Sequence, residues 1–222
     1  MNAADFGVPQ KRERVFIVGF RSDLSVDWRF PEPTHSFDAL LSSQWITGDY
    51  WDRHGIRRAD RPAIPGRLKQ HLRKTNYPLF PRALLPWRTV RDAIGHLPDP
   101  RSKEACCIFQ HQFNPGARAY KGHTGSPLDE PAKTLKAGDH GVPGGENMLR
   151  FSDGSVRYFT VLESLHLQTF PSHFELVGSW SEKMRQLGNA VPVELARVMA
   201  GNILGELWRR EPREKRAAVQ SA

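Results

Sequence analysis

Five residues near the start of the chain, Gln10-Lys11-Arg12-Glu13-Arg14, set two guanidiniums and an amide within one short stretch. An apolar run, Val15-Phe16-Ile17-Val18-Gly19-Phe20, follows at once. If that run is a buried strand, the two-residue period of extended backbone puts Arg12 and Arg14 on one side and Lys11 and Glu13 on the other. Two guanidiniums then project together into whatever lies beside the strand. A planar guanidinium donates to two acceptors at once, which a lysine ammonium does not match. The same spacing describes a solvated charged turn before a strand, so its meaning depends on the rest of the chain.

Other residue types with chemical potential lie further on. The stretch 116–145 is dense in Gly and Pro and carries Lys121, His123, Thr124, Lys133, Thr134, Lys136 and His140. Glycines let backbone approach a ligand closely, and the polar residues between them supply donors that read base edges; a mobile surface loop has the same composition. Two cysteines, Cys106 and Cys107, are adjacent, which excludes a disulfide framework and a CxxC metal or redox spacing. The net charge is +8 and the pI about 9.8, which favours an anionic partner, nucleic acid ahead of a membrane surface. No run approaches the ~18 apolar residues of a membrane span, and a soluble, cytoplasmic protein is expected.

The elements that position these residues are read from local signals. A strand is expected over residues 15–20, then a turn at Arg21-Ser22-Asp23 and a proline-punctuated segment around Pro31-Glu32-Pro33. Between residues 45 and 86 no clean periodicity survives, with Trp45, Trp51 and Tyr77 scattered among His, Pro and Arg. Five Arg or Lys and no acid fall between residues 61 and 74, which reads as an irregular basic insertion, either solvated or phosphate-binding. Thr89 is an N-cap for a short helix through Ala93, Ile94 and Leu97, and a short strand is expected over residues 106–109. Thr160 and Glu163 form a capping box for a helix carrying Leu162, Leu165 and Leu167. A second helix is expected over residues 181–186, a bend at Gly188-Asn189-Ala190-Val191-Pro192, and a last helix from near Pro192 with Ala196, Met199, Ala200, Ile203 and Leu207 at helical spacing.

Three separated segments then agree. Asp5-Phe6-Gly7-Val8-Pro9-Gln10-Lys11-Arg12-Glu13-Arg14, Arg157-Tyr158-Phe159-Thr160 through Glu163, and Gln186-Leu187-Gly188-Asn189-Ala190-Val191-Pro192 resemble, in order, the last three sequence motifs of DNA cytosine-5 methyltransferases. Thr134-Leu135 looks like the Thr-Leu pair near the end of that family's target-recognition region. The resemblance covers residues 2–207. It implies an α/β fragment: the terminal strand and C-terminal helix of a Rossmann-like methyltransferase domain, plus a largely irregular small target-recognition domain. The implied boundaries are 1–30 for the tail of the catalytic domain, 31–156 for the DNA-binding recognition region and 157–186 for a helical bracing segment. Residues 187–208 then return to the catalytic domain, and 209–222 form a disordered tail.

Members of this family flip a cytosine from the duplex, attack C6 with a cysteine thiolate and pass the methyl group of S-adenosylmethionine to C5. Attack puts negative charge into the ring, so fixed cationic donors near O2 lower the barrier. By motif match, the resemblance implies that Arg14 donates to cytosine O2, while Arg12 and Gln10 hold the phosphate and loop geometry around it. It also implies that Gly188, Asn189, Ala190 and Val191 approach the methionine part of S-adenosylmethionine. Arg157, Thr160 and Glu163 brace the recognition region. Lys133, Thr134, Leu135 and Lys136 belong with them to the DNA-binding set, with Thr134 facing the major groove.

Some family features are missing. Ala105 precedes Cys106 where the family's nucleophile lies in a Pro-Cys pair, and neither a glycine-rich cofactor loop nor a Glu-Asn-Val segment occurs. The family usually has arginine where Leu162 stands and often another at His166. The expectation is a chain inactive alone that acts on double-stranded DNA with a second polypeptide bearing the nucleophile, as in a split restriction-modification methyltransferase. A truncated relic and a stand-alone sequence-specific DNA-binding module are the alternatives, with an RNA-directed relative behind them.

Overall fold

The computed structural model describes residues 1–74, 84–137 and 146–210. Tyr77, His140 and the tail beyond residue 210 lie outside them. Asn2 accepts from the Ala4 amide and opens a 3-10 turn, Ala3–Phe6, that ends at Gly7 with φ of 83°, a conformation open to glycine. The chain then doubles back. The Ala3 amide donates to the Arg12 carbonyl (2.9 Å) and the Arg14 amide to the Met1 carbonyl (2.9 Å). On the opposite side the Lys11 amide donates to Ala132 (2.8 Å), and the Ala132 amide to Pro9 (2.9 Å). Residues 9–14 are therefore held on both flanks.

The expected strand over residues 15–20 does not form. None of their backbone groups has a backbone partner among the described residues, and extended chain becomes a strand only when a neighbour completes the ladder. The two-residue period survives in burial: Phe16 and Val18 are partly covered, while Val15 and Ile17 are 89% and 93% exposed.

The described residues 31–74 and 84–137 are more ordered than their composition suggested. Strand β1 (His35–Ser36) leads into α1 (Phe37–Trp45), whose first turn is capped by Ser36 accepting from the Ala39 amide. Helices α2 (Asp49–Arg53) and α3 (Gly66–Lys74) follow, and β2 (Leu85–Pro86) pairs in parallel with β1. The irregular insertion expected between residues 45 and 86 is thus corrected for its described residues, which carry α2 and α3, with Tyr50 and Trp51 of α2 packed against Leu40 of α1; residues 75–83 lie outside the described residues. Helix α4 (Val90–Ile94) starts at Thr89 with a full capping box to Asp92. The strand expected over residues 106–109 is instead a turn, beginning with the 3-10 segment Lys103–Ala105 and continued by bonds from Ile108 to Ala105 and from His111 to Ile108.

A second small sheet joins β3 (Ser126–Pro127), β4 (Met148–Arg150) and β5 (Val156–Tyr158), with β3 parallel and β5 antiparallel to the central β4. Helix α5 (Val161–Leu167) has the expected Thr160–Glu163 capping box. Helix α6 (Trp180–Asn189) is longer than expected, because Ser179 and Glu182 form a third capping box and Gly188 and Asn189 stay helical. The bend therefore begins only at Ala190. Helix α7 (Val193–Arg210) begins one residue after Pro192, as expected. Its buried stripe runs through Leu195 and Met199; Ala196 and Ala200 face out, a correction of about one residue in phase. The result is a mixed α/β fold with two short sheets.

Candidate functional site

Arg12 lies at the centre of the site. Its side chain is fully enclosed, and its guanidinium donates to the carbonyls of Leu135 (2.9 Å), Gly188 (2.7 Å) and Ala190 (2.9 Å). Gln10, also enclosed, accepts from the Leu135 amide (3.1 Å) and donates to the Leu167 carbonyl (3.4 Å). The Thr134 hydroxyl donates to the Lys11 carbonyl (2.7 Å). Residues 10–12, 134–135 and 188–190 are thereby one constellation. Burial, then the nearby Arg14 charge, lower the Arg12 pKa to about 10. The group stays charged at neutral pH, compensated by carbonyl dipoles. The two terminal guanidinium nitrogens of Arg12 and the amide of Gln10 bond to the protein's own backbone, while the buried Arg12 Nε has no hydrogen-bond partner among the described residues.

Of the two arginines two residues apart, only Arg12 is enclosed. Arg14 is half-buried, donates to the Glu13 carbonyl (2.7 Å) and lines an open cavity of about 330 Å³ with Met1, Asn2, Glu13 and Val15.

Gly188 is fixed by contact. A Cβ built there would lie 2.2 Å from the Ala137 nitrogen and 2.4 Å from the Lys136 carbonyl carbon. The residue 136–137 backbone thus packs directly on α6. Asn189 is exposed and its side chain makes no hydrogen bond among the described residues, while Val191 is exposed beyond it. At 188–191, the Gly188 and Ala190 carbonyls are committed to the Arg12 constellation, while the Asn189 side chain is exposed.

Arg157 and Glu163 form a buried bidentate pair at 2.7 and 2.6 Å. The same carboxylate accepts from the Thr160 amide (2.9 Å), closing the α5 capping box. The two positions that depart from the family pattern are filled by other contacts. Leu162 is buried and its amide donates to the Gln110 carbonyl (2.8 Å). His166 stacks on His96 (centroids 5.4 Å apart), with Nδ1 3.2 Å from the Ala93 carbonyl and Nε2 3.1 Å from the Ser172 hydroxyl. Burial foremost, with His96 and His111 adding, lowers the His166 pKa.

The expected DNA-facing set divides. Leu135, Arg157, Thr160 and Glu163 are buried, and Leu135 belongs to the apolar cluster of Val90, Ile94, Leu149 and Phe159. Lys136 is exposed. Lys133 is partly exposed and tethered, its ammonium 3.1 Å from Glu146 and donating to the Thr124 hydroxyl (3.0 Å). Sequence reading missed Glu146, since an acid in a basic region carries no positional signal.

It also missed a basic hollow of about 710 Å³ where Arg57, Arg58 and Arg61 gather beside Trp45, Ile46 and Trp51. Arg57 pairs with Asp60 and Arg61 with Asp52, leaving Arg58 without an ion pair among the described residues. The Arg57-Arg58 doublet was its one legible sign. Beneath it, Asp129 accepts from the Tyr50 hydroxyl (2.8 Å) and from Arg91 (2.6 and 3.0 Å), tying α2 to α4. Burial and the Asp129 charge push the Tyr50 pKa up, so the hydroxyl remains a donor.

Comparison with known proteins adds an independent line. The model of the C-5 cytosine-specific DNA methylase family matches residues 1–205. The type II methyltransferase M.NgoFVII of Neisseria gonorrhoeae is 33% identical over 201 residues, 88% of this chain and 47% of the relative. M.AplI of Arthrospira platensis is 29% identical, over 91% of this chain and 46% of its own length. M.BsuRI of Bacillus subtilis is 27% identical, over 91% and 40%. The chain spans about half the length of the curated relatives it matches.

Proposed function

Since the chain belongs to the C-5 cytosine-specific DNA methylase family, we propose that it supplies the target-recognition region and one wall of the flipped-cytosine site of a type II DNA cytosine-5 methyltransferase. The observation that carries the proposal is the Arg12 constellation. It ties the stretch bearing Arg14 to the Thr134-Leu135 segment and to residues 188–190. A wall built this way holds Arg14 where a half-buried guanidinium can donate to cytosine O2 as charge develops in the ring. Arg12 and Gln10 are positioning residues in this reading.

S-adenosylmethionine supplies the methyl group in this family. In this reading the exposed Asn189 amide holds its methionine part, with Val191 exposed nearby and the Gly188 carbonyl engaged by Arg12. Residues 31–156 form the recognition region, with the exposed Lys136 and the partly exposed, tethered Lys133 as its donors, and Arg157, Thr160 and Glu163 as its internal brace. Double-stranded DNA is the substrate. The nucleophile and the remaining cofactor contacts come from sequence outside these 222 residues. Cys106 and Cys107 do not serve, being exposed on a turn with no Pro-Cys pair. A separate polypeptide is the leading source. The bare segment 15–20 is a natural place for it to add a strand.

Co-expression with a candidate Pro-Cys half tests the proposal through methyl transfer to duplex DNA. Activity above that of the half alone supports it, and no gain refutes it. Arg14→Ala is expected to abolish transfer by the assembled complex while assembly persists; an active variant refutes the O2 assignment. A second reading, a DNA-binding module acting without chemistry, draws on the basic hollow at Arg57, Arg58 and Arg61. Sequence-selective binding by the chain alone, falling steeply with salt, would support it.

A further inference from the structure

Cys106 and Cys107 take no part in the site described above, yet their sulfurs lie 3.3 Å apart and both residues are exposed. They sit on a turn pinned at both ends. Before it, Ala105 is buried and the Cys106 amide donates to the Lys103 carbonyl. After it, Gln110 and His111 are buried. Gln110 bonds to the backbone of Phe174 and Leu176, and His111 lies 2.9 Å from the Thr160 hydroxyl while its Nε2 donates to the Pro98 carbonyl. The backbone that carries the two neighbouring thiols is therefore held in place by the fold. They are the chain's two cysteines, so no third thiol competes. Among the described residues no group of three His, Cys, Asp or Glu could hold a metal ion, so a chelate with a further protein ligand is not supported.

We propose that Cys106 and Cys107 are a redox-modification site that closes to a vicinal disulfide with a small-molecule disulfide as oxidant. One thiolate attacks the oxidant, forming a mixed disulfide and releasing one small thiol. The second thiolate then attacks the protein sulfur of that mixed disulfide and displaces the other small thiol. Two electrons pass to the oxidant, and the two thiol protons leave with the two small thiols. Neighbouring Cα atoms across a trans peptide are ~3.8 Å apart, below the ~4.4–6.8 Å usual for disulfides. The ring closes under strain and reopens readily with a dithiol.

The test incubates the full chain with oxidised glutathione, quenches in acid and measures intact mass, beside Cys106→Ser and Cys107→Ser. Both positions are exposed, so the variants should fold. The expected product of the unaltered chain is monomeric, lighter by two hydrogens, free of glutathione and restored by dithiothreitol. Each single variant should instead retain one glutathione. Retained glutathione on the unaltered chain, a disulfide-linked dimer, or two thiols still free would each overturn the proposal.

Discussion

Two guanidiniums leave water in this fold and are compensated differently. Arg12 is held by three backbone carbonyls and no carboxylate, so its charge is solvated by dipoles without being cancelled. Arg157 is cancelled outright by Glu163 in a pair that is 7% and 1% exposed. Breaking a buried pair by removing one partner leaves an uncompensated charge, whereas replacing both with apolar groups does not. Arg157→Ala is therefore expected to cost about 3–5 kcal/mol, and Arg157→Met with Glu163→Leu markedly less, as read by urea denaturation. A double variant as unstable as the single one would contradict the pairing argument.

At the scale of elements, α6 and α5 carry the sharpest constraints. Gly188→Ala drives a methyl into the backbone of residues 136–137, which has no side chain to swing aside. Overpacking of this kind costs about 1–3 kcal/mol, and the upper end applies here. Thermal denaturation checks it; a variant as stable as the parent would mean that α6 does not abut that backbone. Helix α5 is joined to α4 through His166. Its folded pKa lies below the ordinary value, so the unfolded chain binds the proton more readily. Its contribution is full above about pH 6.5 and is lost as pH falls through the lowered folded value. Asp92 and Asp99, whose pKa values are also lowered, lose theirs only below about pH 4. His166→Gln should flatten the fall in melting temperature between pH 7 and 5 and leave the steeper acid limb in place. The caps of α4 and α5 were legible at Thr89, Thr160 and Glu163 because a cap is decided within four residues. Helix α2 was not: a five-residue element with Tyr50 and Trp51 adjacent has no period to detect.

The whole molecule is built around four apolar clusters among the described residues rather than one. Its cohesion rests heavily on polar ties between distant segments. The bonds from Arg12 to Leu135 and Gly188 span 123 and 176 residues. No periodicity reports such a tie, so motif resemblance pointed to the segments without giving the contact that joins them. The strand expected over residues 15–20 failed for a related reason. Apolar alternation there was real, but pairing belongs to the neighbour as much as to the strand.

That segment also governs how the protein behaves in the tube. Residues 15–20 offer a row of unmatched amides and carbonyls flanked by the outward β-branched side chains of Val15 and Ile17, a template onto which another extended chain can zip. The apparent molar mass from light scattering should therefore rise with protein concentration, and Ile17→Lys should suppress the rise without lowering the melting temperature. An apparent mass that stays at the monomer value at every concentration of the unaltered chain would count against this. The excess positive charge keeps molecules apart at long range, and the six-residue edge is the short-range contact through which concentrated molecules would meet.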